Sequence, residues 1–286
     1  LTLAAALDLV RHLGREALRD RAVRTADSVG LSEDGDAALI ALAERLAQAA
    51  ESTAAPFESF ATVVARARFA AVYTAHPTVG MTRALAHALA GLASGDEASA
   101  AVIDAEDLTF RPDARITLQD EFEQARFSVR HARDAIDRLN AALLGAARRR
   151  WPARWRELAP RPLILGSWVG CDTDGRTDIG WWDTLRYRLE SKQGQFARIL
   201  EKLPEVSATA DVREMVAAAL AAVERQLALA PPIGSQPALT ALQAFALSLV
   251  GERETALPEA SGLLAALDRA VAAAGDDEAS AMALCL

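Results

Sequence analysis

A mainly helical fold carrying a few short parallel strands of an incomplete α/β, TIM-like barrel is predicted by three features of the sequence. Most of the chain is rich in alanine, with apolar residues recurring three and four apart, the period of one helix face. Three short apolar runs, Phe69 to Thr74, Leu163 to Leu165 and Ala281 to Leu286, break that period and read as buried strands. Long helical stretches separate these runs. Continuous apolar strands joined by helical connections belong to parallel sheets or barrels, where ligands gather beyond the carboxyl ends of the strands.

Composition limits the function classes. The chain has 286 residues, 51% of them hydrophobic and 24% charged, a globular composition that excludes disorder and collagen-like order. Its net charge of −8 has the wrong sign for a chain that coats nucleic acid or an anionic bilayer, so any anionic ligand must meet a local basic pocket. Only Cys171 and Cys285 are present, too few and too far apart for a disulfide framework or a CxxC metal site. This usage suits a reducing cytoplasm. The longest stretch free of charged residues, Gln226 to Gly251, is interrupted by Pro231, Pro232 and Pro237 and is too short to span a bilayer. Asp8, Arg11 and Arg15 interrupt the amino end before a signal-like apolar core develops.

Taken in order, residues 1–68 form amino-terminal helices, with Leu3, Leu7 and Val10 and then Leu39, Leu42 and Leu46 on their faces. Residues 69–286 form a partial barrel with long helical connections. The clearest helix begins at Thr117, where Thr117 and Asp120 complete a capping-box pattern. Phe122, Ala125, Val129, Ala132, Ile136, Leu139 and Leu143 then share one face. That helix runs to about Arg148, roughly 45 Å at 1.5 Å per residue, before Pro152, Pro160 and Pro162 end helical continuity. A second amphipathic helix starts near Asp183 and carries Leu185, Leu189, Phe196 and Leu200. The Pro231 to Pro237 segment reads as a long loop between helices. The third strand-like run ends the chain, and no Met leads it, so the whole is expected to be one truncated amino-terminal portion.

The loops after the first two strands carry the chemistry. His76 is held by Pro77 at a strand end, which suits a general base or an imidazolium beside a phosphate; it equally suits a half-buried histidine bonded to a backbone carbonyl. His12, His87 and His131 read as solvated helix-face residues without metal-ligand spacing. Asp172, Asp174 and Asp178 surround Gly175, but a calcium loop fails here because positions one and twelve would be Gly170 and Trp181. Gly166-Ser167-Trp168-Val169-Gly170 lacks the GxSxG order of a nucleophile elbow. Two readings remain for this loop: a Gly/Asp turn bonded to its own backbone, or a tight loop bringing N–H groups and an indole wall toward a small ligand.

Together the two segments carry more information. Tyr73-Thr74-Ala75-His76-Pro77-Thr78 resembles the TAHPTE signature of the phosphoenolpyruvate carboxylase family, and Arg83 falls at the second of the paired arginines that follow it. Leu165-Gly166-Ser167-Trp168-Val169-Gly170-Cys171-Asp172-Thr173-Asp174-Gly175 resembles that family's FGSWMGGDRDGNP, in the same order. The resemblance covers about Phe69 to Leu200.

The resemblance implies a cytoplasmic enzyme, dependent on Mg2+ or Mn2+, that joins bicarbonate to phosphoenolpyruvate and gives oxaloacetate and phosphate. It implies that His76 assists breakdown of a carboxyphosphate intermediate, that Arg83 supplies positive charge near the phosphate, and that Trp168 walls the substrate methylene. Asp172 and Asp174 are candidate loop contributors. Departures are present too: Val79 replaces Glu, Thr82 the first arginine, Cys171 Gly, Thr173 Arg, and Arg176-Thr177 Asn-Pro. The family's metal carboxylates and glycine-rich phosphate loop have no counterpart in the chain, so this chain alone is expected to be inactive. The alternative is a non-catalytic helical scaffold or regulatory relative of the family. The alanine-rich faces suit intramolecular packing and homo-oligomer contacts alike.

Overall fold

The computed structural model describes residues 35–73, 83–93, 96, 98–105, 116–171, 176–275 and 277–285. Its described elements are α1 (Gly35–Glu51), α2 (Pro56–Ala65), β1 (Phe69–Tyr73), α3 (Arg83–Ala93), α4 (Ala98–Ala105), α5 (Leu118–Arg150), β2 (Leu163–Ser167), α6 (Trp181–Lys202), α7 (Ala210–Leu229), α8 (Leu239–Gly251), α9 (Ser261–Ala273) and α10 (Glu278–Cys285). The fold is helix-rich. Among the described residues the only sheet pairs β1 with β2, so these strands do not form a closed barrel.

The chain divides into two compact units, Leu1–Leu46 with Thr74–Ile116, and Ala47–Tyr73 with Thr117–Leu286. In the first unit α3 and α4 form a helical hairpin around Leu85, Ala88 and Ile103. Asp96 caps α4 by accepting the Ala98 N–H at 3.1 Å and the Ser99 hydroxyl at 2.7 Å. Gly91 permits this approach, since a Cβ there would meet Ser99 Oγ at 2.3 Å.

In the second unit α5 develops from the capping box read in the sequence. The Thr117 hydroxyl accepts the Asp120 N–H at 3.2 Å, and Asp120 Oδ2 accepts the Thr117 N–H at 3.0 Å. The helix extends over 33 residues, and its seven predicted face residues are all buried or half-buried. At its end Trp151 meets Phe57 and Phe60 of α2 at ring-centroid distances of 5.8 and 5.2 Å. Pro152 follows, lacking an N–H to continue the ladder.

The chain then returns as β2, which pairs in parallel with β1 from Phe69 opposite Leu163 to Tyr73 opposite Ser167. α5 packs against both strands. β1 covers its predicted run up to Tyr73, Thr74 lying outside the described residues, β2 is slightly longer than predicted, and neither is fully buried. Phe69, Val72 and Ile164 are 61, 47 and 42% exposed; Val72 and Ile164 share one face, while Phe69 starts its strand on the other, and among the described elements α5 alone packs closely on the sheet.

The third predicted strand is a helix. Residues 281–285 lie in α10, where Asp277 accepts the Ser280 N–H at 3.1 Å and its hydroxyl at 2.6 Å. The run Ala-Met-Ala-Leu-Cys contains no β-branched residue and is dominated by strong helix formers, while Ala281 and Leu284, three apart, are the buried pair. Apolar continuity alone therefore misassigns it.

The remaining helices, α6 to α10, enclose a core that includes Leu189, Phe196, Val216, Val223, Phe245 and Ala270. Asp183, predicted to lie near the start of α6, sits in its first turn and has no exposed surface. One carboxylate oxygen accepts the Gly180 N–H at 2.8 Å, and the other accepts the Gly234 N–H at 2.9 Å. It thereby ties the amino end of α6 to the Pro231–Pro237 loop between α7 and α8. Gly234 takes a left-handed φ of 69° inside that loop. Neither cysteine is bridged, and burial pushes the Cys285 thiol pKa up. Among the described residues no helix is long and apolar enough to cross a membrane.

Replacing Asp183 with Ala strands two backbone donors, so Asp183→Ala is expected to cost about 2–4 kcal/mol in urea unfolding. The exposed Asp178→Ala should cost about 0.5 kcal/mol or less.

Candidate functional site

The parallel register sets the geometry of the site. Tyr73 and Ser167 are partners at the carboxyl ends of adjacent strands, so the segments that begin at Thr74 and Trp168 leave the sheet from one edge. Trp168 stands immediately beyond that edge and is 52% exposed. His76, Asp172 and Asp174 lie outside the described residues. Arg83 opens α3, and its side chain lies outside them too. Trp168 is thus the sequence-predicted site residue whose surroundings the structure describes.

Its turn is rigidly held. The Cys171 N–H donates to the Trp168 carbonyl at 2.8 Å, closing a β-turn, and the Val169 N–H donates to Ser167 Oγ at 3.3 Å. Gly170 adopts a φ of 72°, and a Cβ there would stand 2.3 Å from the Phe122 ring. Both the backbone and the lack of space demand glycine. The Thr184 hydroxyl of α6 donates to the Gly170 carbonyl. Phe122 in turn stacks on Tyr187, with centroids 4.5 Å apart and planes 18° apart. Val169 is buried beneath the turn while the indole beside it faces solvent. Of the two readings of this loop, its described part is a turn packed on α5 and α6 that presents one aromatic surface.

Beyond the loop, Arg176 bridges back to α5. Its guanidinium meets Glu121 at 3.1 Å and Asp178 at 2.7 Å. Arg176 holds the Asp178 carboxyl below its usual range, chiefly through this hydrogen bond. Arg176 therefore has a structural role, pinning the segment it begins to α5.

A second feature borders β2. An open cleft of about 590 Å³ lies between α5, α6 and the segment Leu165–Ser167. Arg126, Arg130 and Arg133 of α5 and Arg198 of α6 line it. Sequence reasoning does not single out these arginines. The signal is present, since positions 126, 130 and 133 have the i, i+4, i+7 spacing of one helix face, but the apolar stripe of the same helix dominates its reading. His131, by contrast, sits on the exposed side of α5 with Nδ1 2.9 Å from the Phe127 carbonyl, and His87 is exposed on α3, as a solvated helix-face reading expects.

The divalent ion implied by the resemblance needs a cluster of hard oxygen ligands. Among the described residues no group of three or more His, Cys, Asp or Glu side chains could hold a metal ion, so these residues do not fit that role.

Asp178 gives a pH-dependent signature. Its folded pKa is depressed, so its contribution to stability is present above the unfolded carboxylate pKa and is lost as pH falls through the lower folded value. Arg176→Ala is expected to return the Asp178 titration, followed by carboxyl-carbon NMR, toward the ordinary value of about 3.9. Gly170→Ala should lower the melting temperature sharply while Gly194→Ala, with no atom within 4 Å of the new Cβ, should not.

No protein-family model, curated protein or solved structure matches this chain.

Proposed function

We propose that the chain is the amino-terminal part of a divergent phosphoenolpyruvate carboxylase, a cytoplasmic enzyme that joins bicarbonate to phosphoenolpyruvate to give oxaloacetate and phosphate. Its two motif segments and their order support the reading. The observation that carries it is the pairing of β1 with β2, because Tyr73 and Ser167 end the strands side by side and feed both segments from one edge. Three peptide links from Tyr73 to His76 span at most about 11 Å, and a single link separates Ser167 from Trp168. The residues that follow the two strands thus set out from the same end of a parallel sheet, the end at which ligands of such sheets bind.

In this reading His76 handles the proton in carboxyphosphate breakdown, which an imidazole titrating near neutrality can do. Arg83 holds the substrate phosphate against the repulsion of a chain with net charge −8. The exposed indole of Trp168 walls the methylene carbon, and Asp172 and Asp174 are candidate contributors from the same sequence segment. In this reading the further barrel strands, and the carboxylates that would hold an Mg2+ or Mn2+ ion, are not among the described residues; such an ion would supply Lewis-acid chemistry. The chain alone is inactive.

The second reading, a non-catalytic scaffold or regulatory relative, draws on Arg176. Where the family has Asn, this residue forms an ion pair with Glu121 and Asp178, which serves folding rather than catalysis.

Oxaloacetate formation by the full-length protein, supplied with phosphoenolpyruvate, bicarbonate and magnesium, separates the two. The carboxylase reading expects turnover that falls at least about a hundredfold in His76→Asn, the size of a lost acid–base group. Undiminished turnover in that variant removes His76 from the mechanism, and no turnover in the unaltered protein favours the scaffold.

A further inference from the structure

The cleft between α5, α6 and β2 contains an unusual cation. Arg133 is half-buried, yet among the described residues it forms no hydrogen bond and no ion pair. Of its neighbours, Arg130 is exposed beside the Phe127 ring and two others are already engaged. Arg126 meets Glu190 at 2.7 Å, and Arg198 meets Asp134 and Asp137 at 2.5 and 2.6 Å. Burial pushes the Arg133 pKa down, the like charge of Arg198 lowers it further, and Asp137 and Tyr187 offset this only in part. Desolvating a guanidinium is costly, and the carboxylate whose charge acts on it, Asp137, is already bonded to Arg198 and Lys202. Here the space in front of it is a cleft.

We propose that this cleft binds a small organic oxyanion, a carboxylate or a phosphate, with Arg133 as its principal cation. The guanidinium fork matches either anion in bidentate fashion. Ser167 offers a second donor, because its oxygen accepts the Val169 N–H at 3.3 Å and its own O–H is free to point at a ligand. Gly194 leaves the α6 wall open, with no atom within 4 Å of the point where a Cβ would stand. Phe127, 44% exposed, supplies an apolar surface for the organic part of the ligand. The carboxylates of Glu123 and Glu201 also line the cleft, but both residues are exposed at its rim, where solvent and salt screen them. Glu190, deeper, is neutralised by Arg126 and by Arg186 at 2.9 Å. The interior therefore favours an anion and the rim does not forbid it. This inference stands on the cleft alone and does not rest on the carboxylase reading.

The test is calorimetric titration of the full chain with inorganic phosphate and, separately, with malonate, at ionic strength held constant with potassium chloride. Saturable one-to-one binding of either anion is expected, and which one binds identifies the oxyanion. Arg133→Met keeps the apolar stem and removes the charge. It is expected to weaken binding at least tenfold and to abolish the ligand-induced rise in melting temperature. Its own melting temperature without ligand should equal or exceed that of the unaltered chain, because a half-buried charge with no ion pair among the described residues has gone. A purely structural arginine would lower that temperature. Absence of saturable binding by the unaltered chain up to about 50 mM of both anions overturns the proposal, as does undiminished affinity in Arg133→Met. Failure of the His76 assay leaves these outcomes unaffected.

Discussion

Parallel pairing of β1 with β2 is the constraint around which the second unit is organised. Two parallel strands cannot be joined by a tight turn; the chain must travel back along the sheet before it can pair again. α5 makes that return, with its amino end fixed by Thr117 and Asp120 and its carboxyl end by Trp151 against Phe57 and Phe60. Because α5 also lies against both strands, the same helix that permits the pairing covers one face of the result.

From that arrangement the positions of the functional elements follow. The turn after β2 can sit only where Gly170 clears the Phe122 ring of α5 and Thr184 of α6 reaches its carbonyl. Asp183 fixes α6 in turn, using a buried charge to satisfy two backbone donors far apart in the chain, at Gly180 and Gly234. Short-range capping and long-range attachment are thus combined in one carboxylate. The cleft is what remains where α5 and α6 diverge beside β2, and its arginines come from helix positions that the apolar stripe does not use.

Two charged features illustrate how differently ion pairs act in this molecule. Arg176, Glu121 and Asp178 close a loop onto a helix at the surface, where solvent reduces the energetic value of each contact and geometry is the main product. Arg133 is the opposite case, a cation drawn partly out of water that, among the described residues, has no carboxylate bonded to it. Stability is lowered by such a group, so its presence is better understood through what it can bind.

Much of the helical architecture is legible from residue order, since periodicity and caps act over three or four residues. The α5 capping box, its buried face, the start of α6 near Asp183 and the Pro231–Pro237 loop are all local in this sense. Strand identity is less so. All three runs read alike as apolar stretches without helical periodicity; Phe69–Tyr73 holds two aromatics and Val72, and Leu163–Ser167 holds Ile164, whereas the run in α10 has no β-branched residue and becomes helix through Asp277 and its alanines. At the candidate site the sequence determined which residues stand at each strand end, including the exposed Trp168. Tertiary structure alone decided that Tyr73 and Ser167 are neighbours and that Arg133 faces a cleft without a partner, because both depend on segments distant in the chain meeting in space, and no local pattern encodes which will meet.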